Sequence, residues 1–472
     1  MKIILDETNP FELALLKISK IIEGTKWDGN VFAVGGCVRD KLMGKQIKDI
    51  DLVVTYPNGG IEFANWICKE TYCYKLESNP CVFPKYGTAK FNIRSIQDIE
   101  RIDIECVQTR KEQYHEDSRN PETCYGNIIE DAYRRDLTIN ALYLNLSTFL
   151  VHDPTEKGLD DLKNHIIRTP SEPDVIFKDD PLRLLRVIRF ASRFNWGIEK
   201  ETWLGMVKNA YRINIISAER IKDELCKMIV CDKPSVAIKR LDGCGLLKLI
   251  LPEVYDLKGL KQGIQHFGDV YEHTLATLDK VAPEAFHRLS ALFHDIGKTM
   301  TYSVINNTIH FYGHEIQSGV MTRNLMTRLK FSKNEITHVV VPINEHMKFK
   351  QFGDKCPSKK VLRKFLANVT DEHLDVALDL INADNNSHKE EYCLKKQIPL
   401  VIEEIKEMRE KENSHVDKIV LPIDGKDIIK TFKLKPSPLI GQCLEWVKDL
   451  YFENPNVTKE QCLEYIKIKL SI

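Results

Sequence analysis

No run of the 472-residue sequence approaches the 18 or so uninterrupted apolar positions that a membrane-spanning helix needs. Net charge is also missing, with 68 lysines and arginines against 68 aspartates and glutamates. That balance argues against a protein that coats nucleic acid over its whole surface, but leaves room for a local basic field. None of the 13 cysteines forms a C-x-x-C pair, and their odd number and scatter fit reduced thiols better than a disulfide framework. Internal repeats and a low-complexity tail are absent as well. The opening MKIILDETNP brings in acidic and polar residues where a signal peptide would extend its apolar run, so a cytoplasmic location is the default expectation.

What is present describes a soluble globular chain, 43% hydrophobic and 29% charged, long enough for two to four domains. The first 150 residues alternate β-rich runs with helical segments: VFAVGG, DIDLVV, CVFPKYGTAKFNI, ERIDIECV and ALYLNL. From about residue 170 helical periodicity takes over, in LRLLRVIRFASRF, SAERIKDELCKMIV and VAIKRLDGCGLLKLI. Residues 265–390 form a further helical block dense in histidine, with one strand-pair candidate, TYSVINNTIHFYG. A charged link at 402–417 leads to a last module beginning LPIDGKDIIKTF.

Two aspartates, Asp49 and Asp51, lie one residue apart in KDIDLVV. On a strand they project to one face roughly 6–7 Å apart. Like charges so close are costly without a positive partner, and an oxygen-rich pocket suits Mg²⁺; an exposed alternating strand with two solvated acids is the plain alternative. The strand RIDIECVQTR adds Asp103 and Glu105 on one face, and periodicity cannot choose between them. About three carboxylates converging from neighbouring strands are what two-metal phosphoryl transfer requires. Ahead of them, Gly35 and Gly36 end a strand and precede a helix start, where backbone can approach a phosphate closely. Their spacing fits neither G-x-G-x-x-G nor a GK[ST] loop, and a simple turn explains them equally.

Five ordered motifs carry a specific resemblance: GGCVRD at 35–40, DID at 49–51, RRDLTINAL at 134–142, HDPTEKGLDDL at 152–162 and DDPLRLLRVIRF at 179–190, continued by ISAERIKDEL at 216–225. Together they resemble the class II tRNA nucleotidyltransferases and the related bacterial poly(A) polymerases, over residues 30 to 260. The resemblance implies an α+β chain: a nucleotidyltransferase head with a mixed β-sheet and helices (1–165), a helical neck and body for nucleobase recognition and RNA binding (166–262), a helical HD domain (263–400) and a helical tail for tRNA-body contact (401–472). It implies Asp49, Asp51 and Glu105 as catalytic acids, the first two holding Mg²⁺, with Glu105 preferred over Asp103 because it stands five residues before Arg110. Gly35, Gly36, Arg39 and Asp40 would form the triphosphate turn, and Arg134, Arg135, Asp136 and Asn140 the sugar and triphosphate site. Asp180 and Arg183, three apart and hence expected on one helical face, would read the edge of cytosine or adenine. Arg186, with Arg189 and Arg193, continues a basic stripe suited to triphosphate or RNA backbone; a solvated amphipathic helix is the plain alternative.

A second constellation, ALFHDIGK, supplies His294 and Asp295 followed by Gly297 and Lys298, and resembles the signature of HD phosphohydrolases. His273 and Asp384 would fill the outer positions and His314 and His346 would be extra ligands, for a divalent transition metal or Mg²⁺. His266, His287 and His310 are left as structural or surface residues. The substrates implied by the whole pattern are tRNA, CTP and ATP, with no membrane partner; oligomeric state is not legible. The leading expectation is a template-independent enzyme adding C, C and A to tRNA 3′ ends. The rivals are a poly(A) polymerase or partial CC- or A-adding enzyme, separated by the loop around 77–95 and by the tail, and a protein that is mainly an HD-type phosphohydrolase. A non-catalytic RNA-binding module is the weakest reading.

Overall fold

The computed structural model describes residues 1–70, 74–75, 80–84, 87–95, 101–113, 122–412 and 421–470. Residues 77–79 and 85–86 of the loop singled out above, and 413–417 of the charged link, lie outside the described residues. The chain divides into two compact units, Met1–Met228 with Lys239–Leu249, and Ile229–Ile238 with Ile250–Ile472.

The first unit is built on an eight-stranded sheet. Its strands are β1 (Val31–Val34), β2 (Ile50–Val54), β3 (Tyr74–Lys75), β4 (Cys81–Phe83), β5 (Thr88–Ser95), β6 (Arg101–Gln108), β7 (Tyr143–Asn145) and β8 (Val151–His152). They run in the order β8-β7-β1-β2-β6-β5-β3, with β4 paired to β5. Only β2 and β6 pair in parallel; the other described neighbours are antiparallel.

Strand alternation decides where the acids go. Ile50, Leu52 and Val54 of β2 and Ile102, Ile104 and Cys106 of β6 join one core with Leu15, Ile18 and Ile22 of α1 (Pro10–Ile22). Phe63, Ala64 and Ile67 of α3 (Gly59–Glu70) complete that layer, while α2 (Gly36–Leu42) opens directly after the Gly35 turn. Asp51, Asp103 and Glu105, at the odd positions, therefore face away from these helices. Helix α1 starts where the Asn9 side chain accepts from the Phe11 and Glu12 amides and Pro10 takes the first turn. Helix α4 (Ile128–Tyr133) opens on a reciprocal Asn127–Glu130 capping box. Helices α5 (Pro173–Asp179), α6 (Leu182–Phe194) and α7 (Ala218–Ile229) follow.

The second unit is almost wholly helical, including α8 (Val270–Lys280), α9 (Ala285–Phe293), α10 (His314–Arg328), α11 (Lys333–Glu345) and α12 (Lys359–Asn385). Its strand pair joins Ser303–Ile305 to Thr308–His310. The turn residues Asn306 and Asn307 have φ of 48° and 60°, the conformation a two-residue hairpin turn needs and asparagine tolerates. Three C-terminal helices, Gly425–Phe432, Pro438–Glu453 and Lys459–Leu470, share a small core around Ile428, Val447 and Ile466. Among the described residues no helix is long and apolar enough to cross a membrane. The α+β character expected from the sequence is the observed one, a sheet-based N-terminal unit followed by helices.

Candidate active site

Asp51 stands opposite Glu105 in the parallel register of β2 and β6, and Lys90 of β5 stands opposite Glu105 on its other side. Lys90 Nζ lies 2.8 Å from Glu105 Oε2. Asp49, just before β2, joins these residues and Asp103 around a recess of about 350 Å³. The register separates the two acids that periodicity could not: Glu105 is level with Asp51, and Asp103 is level with Asn92 of β5. Asp51 is exposed on this face of the sheet. The protein crowding its carboxyl, and then the charges of Asp49 and Glu105, push its pKa up to about 6 against the pull of Arg135 and Lys90. Two or three carboxylates left facing one another in this way suit a divalent cation, and the oxygen-only donor set fits Mg²⁺.

Asp49 and Asp51 also border a second recess, of about 260 Å³, lined by Arg39, Arg135, Arg186, Arg189 and Arg193. Gly35 and Gly36 bring backbone to its edge. Gly35 has a φ of +75°, and a Cβ there would lie 3.8 Å from Asp51 Oδ2; one on Gly36 would lie 3.5 Å from Asp49 Oδ1. Polar side chains fix the guanidiniums. Arg39 Nη1 donates to Asn140 Oδ1 at 2.5 Å and Arg39 Nε to Asp40 at 2.8 Å. Asn140 donates to Asp136 at 3.1 Å, and Arg186 Nε donates to the other Asp136 oxygen at 2.8 Å. Burial alone would raise the Asp136 carboxyl, but Arg186 and Asn140 outweigh it and hold it at about 2. Arg189 donates to Glu224 at 2.6 Å.

Asp131 and Tyr143 carry no motif role in the sequence reading, yet they set Arg135. The Tyr143 hydroxyl donates to Asp131 Oδ2 at 2.6 Å, and Arg135 Nε donates to the Tyr143 oxygen at 3.0 Å and to Asp131 at 3.2 Å. Arg134 is turned elsewhere, donating to Asp131 Oδ1 at 2.6 Å and to the Arg110 carbonyl at 3.2 Å. Burial opposes ionisation of Asp131, but Arg135 and Arg134 prevail and keep its carboxyl far below the usual range.

The expectation for Asp180 and Arg183 needs correction. They do not share a helical face, because Asp180 is extended (φ −139°, ψ 99°) at the end of α5, and Pro181 caps α6 after it. Proline disfavours helical backbone in the residue before it, which a spacing rule overlooks. Asp180 accepts from the Leu182 amide at 3.1 Å and pairs with Arg220 of α7 at 2.8 Å. Arg183 is buried and donates to the Ile176 carbonyl at 3.3 Å. Neither lines the arginine-rich recess, and nor do Arg134 or Asp40.

In the second unit His273, His294, Asp295, His314, His346 and Asp384 are all buried and brought together. His273 Nε2 is 3.0 Å from Asp384 Oδ1, and His294 and His314 Nε2 lie 3.2 and 3.3 Å from Asp295. Each of these four imidazoles commits Nδ1 to a backbone carbonyl: Ser387, Ala291, Phe311 and Ile343 for His273, His294, His314 and His346 in turn. That leaves Nε2 turned inward, the arrangement in which a metal-ligating histidine is held. His294 Nε2, His314 Nε2 and both Asp295 oxygens have no aligned hydrogen-bond partner despite burial. This donor set fits a divalent ion. Lys298 and Lys350 stand 2.7 and 2.9 Å from Asp295 and Asp384. His266, expected to be structural or on the surface, packs against His273 at 3.4 Å and, with His388, lines the same recess. An antiparallel bridge joins His266 to His388 although the helices α8 to α12 lie between them in the chain, so no local spacing announces the pair. His287 pairs with Asp379 at 2.7 Å.

Carboxylates on neighbouring strands, level with one another and flanked by a glycine turn and fixed guanidiniums, define a nucleotidyltransferase-type head. Residues 31–168 match the family described as "Poly A polymerase head domain", and residues 195–257 the one described as "Probable RNA and SrmB- binding site of polymerase A". The "Multifunctional CCA protein" of Neisseria meningitidis serogroup C is 30% identical, over 75% of this chain and 81% of its own length. The mitochondrial CCA tRNA nucleotidyltransferase of Saccharomyces cerevisiae is 27% identical, over 92% of this chain and 87% of its own. The fold is that of the solved Bacillus stearothermophilus CCA-adding enzyme in complex with CTP, with TM-score 0.64, 18% identity and 98% coverage of both chains. The chain belongs to the class II CCA-adding tRNA nucleotidyltransferase family.

Proposed function

We propose that this enzyme adds C, C and A to the 3′ end of tRNA from CTP and ATP without a nucleic-acid template, with Asp49, Asp51 and Glu105 as its catalytic acids. The observation that carries this reading is the sharing of Asp49 and Asp51 between an acidic recess and an arginine-lined one. Asp49 and Asp51 would hold Mg²⁺, which when bound eases deprotonation of the RNA 3′-hydroxyl and offsets charge on the phosphoryl group. Arg39, Arg135 and Arg186 grip the triphosphate, with Gly35 and Gly36 admitting it close to the backbone. The terminal hydroxyl of the RNA attacks the α-phosphate and pyrophosphate leaves. Asp180 and Arg183 select the base and Arg220 holds Asp180 in place. Relatives named as CCA tRNA nucleotidyltransferases, and CCA-adding enzymes solved in complex with tRNA, CTP or ATP, support these substrates. In this reading the head (1–165) makes the bond, 166–262 reads the base, 263–400 is an HD domain and 401–472 contacts the tRNA body.

Extension of a tRNA lacking its last three nucleotides, with CTP and ATP separately and together, tests the proposal. A poly(A) polymerase would instead extend many RNAs with ATP alone.

A second activity is favoured by the four imidazoles anchored through Nδ1: metal-dependent phosphoester hydrolysis at His273, His294, Asp295, His314, His346 and Asp384. Release of a nucleoside monophosphate from a 2′,3′-cyclic nucleotide, lost on Asp295→Asn, tests it.

A further inference from the structure

A second histidine cluster, sharing no residue with the first, lies on α11 and α12. His338, Glu372 and His373 each offer a ligand atom, and these atoms all lie within 4.8 Å of one another. His338 Nε2 is 3.1 Å from Glu372 Oε1, and the two imidazole rings are 4.8 Å apart.

His373 supplies the independent observation. Its Nδ1 lies 2.9 Å from the Val369 carbonyl, so it carries the proton and donates there. Nε2 is then a bare acceptor, and it is buried with no hydrogen-bond partner, in a residue only 6% exposed. Buried acceptors normally find a donor. The arrangement repeats that of His294, His314 and His346, where Nδ1 meets a nearby carbonyl and Nε2 is left for another partner.

The surroundings are organised as well. Thr370, with φ 58° and ψ 168°, breaks the helical path of α12 just before Glu372 and His373. That conformation is essentially glycine's and persists only where neighbours enforce it. Phe286 stacks on the His338 ring at 4.8 Å and 9°, fixing its orientation.

We propose that His338, Glu372 and His373 bind a zinc-type divalent ion that clips α11 to the part of α12 beyond Thr370. Two imidazole nitrogens and one carboxylate suit Zn²⁺ and similar borderline ions, whereas Mg²⁺ and Ca²⁺ prefer all-oxygen shells. The Glu372 side chain is 59% exposed, which leaves the fourth position open to water. Tetrahedral ligand atoms about 2.0–2.1 Å from zinc lie roughly 3.4 Å apart, close to the 3.1 Å His338–Glu372 spacing, and the His373 ligand atom lies within 4.8 Å of both. The clip is independent of nucleotidyl transfer and of the first histidine cluster.

Full-length protein stripped of metal and titrated with Zn²⁺ tests the proposal, by counting tightly bound equivalents and following the melting temperature. Glu372→Gln and His338→Gln are each expected to bind one equivalent fewer than the unaltered protein and to lose part of the zinc-induced rise in melting temperature. Asp295→Asn, which disturbs only the first cluster, retains the equivalent that these two lose. Glu372 is a surface residue, so its variant decides the matter if the His338 variant folds poorly. The same number of equivalents in Glu372→Gln as in the unaltered protein would overturn the proposal.

Discussion

Asp51 and Glu105 face each other across the one parallel pairing among the described strands of the large sheet, and Lys90 answers Glu105 from the next strand. The outer acid is thus half-neutralised by a lysine, while the inner pair, Asp49 and Asp51, is left to a cation. A graded response to mutation follows. Asp51→Asn should lower the single-turnover rate of CMP addition by about 10²–10³-fold, the scale seen when a group stabilising transition-state charge is removed. Glu105→Gln, already paired with Lys90, should cost about 10-fold. Equal losses at the two positions would contradict this ranking.

Asp131 is fully buried between Arg134 and Arg135. Asp131→Ala leaves two partly buried guanidiniums without their anion and should destabilise the fold by about 3–5 kcal/mol, read from denaturant unfolding. Tyr143→Phe removes only the hydroxyl that Arg135 also uses and should cost about 1 kcal/mol. It should raise the KM for both nucleotides several-fold while leaving their ratio unchanged, because Arg135 faces the triphosphate recess rather than the base.

Acid stability has a defined direction. Asp136 is held at about 2 in the folded chain against 3.8 when unfolded, and Asp131 is lowered further. Both contribute stability that is fully present above the unfolded value and lost as pH falls through the folded one. For Asp136 the shift corresponds to about 2 kcal/mol. Unfolding free energy should therefore fall between about pH 5 and pH 2, with a shallower slope in Asp136→Asn than in the unaltered protein. A steeper slope would contradict the assignment.

Base choice should respond to residues outside the triphosphate recess. Asp180→Asn and Arg183→Ala should change the ratio of CTP to ATP use by about 10-fold or more, on the scale of one lost polar contact to a base. Arg220→Ala frees Asp180 from its 2.8 Å partner. It should blur the same ratio with a smaller effect on the rate with the preferred nucleotide. Steady-state kinetics with each nucleotide on matched tRNA ends separates these outcomes from a uniform loss.

The sequence was most legible where chemistry and periodicity coincide. Strand alternation put Asp49 with Asp51 and Asp103 with Glu105, one face for each pair, and the register of the two strands brings Asp51 level with Glu105. The His-Asp doublet at 294–295 pointed to a ligand set with His273, His314, His346 and Asp384, and these four lie buried on separate helices or at a helix end. Legibility failed where an interaction depends on tertiary approach or on backbone geometry. Spacing put Asp180 and Arg183 on a helix, but Pro181 forces Asp180 out of it, and Arg220 reaches it from 40 residues away. Arg134 and Arg135 look alike in RRD, yet burial of Asp131 turns one towards the Arg110 carbonyl and the other towards the acids. His266 and His388 meet only through an isolated bridge.

The most direct test of the account is extension of a tRNA that ends just before its CCA, in Mg²⁺, with labelled CTP and ATP. Two additions with CTP alone, a third only when ATP is also present, and no product from Asp51→Asn are the predicted results. Failure of the unaltered protein to extend that tRNA, or an unlimited adenosine tail from ATP alone, would contradict it.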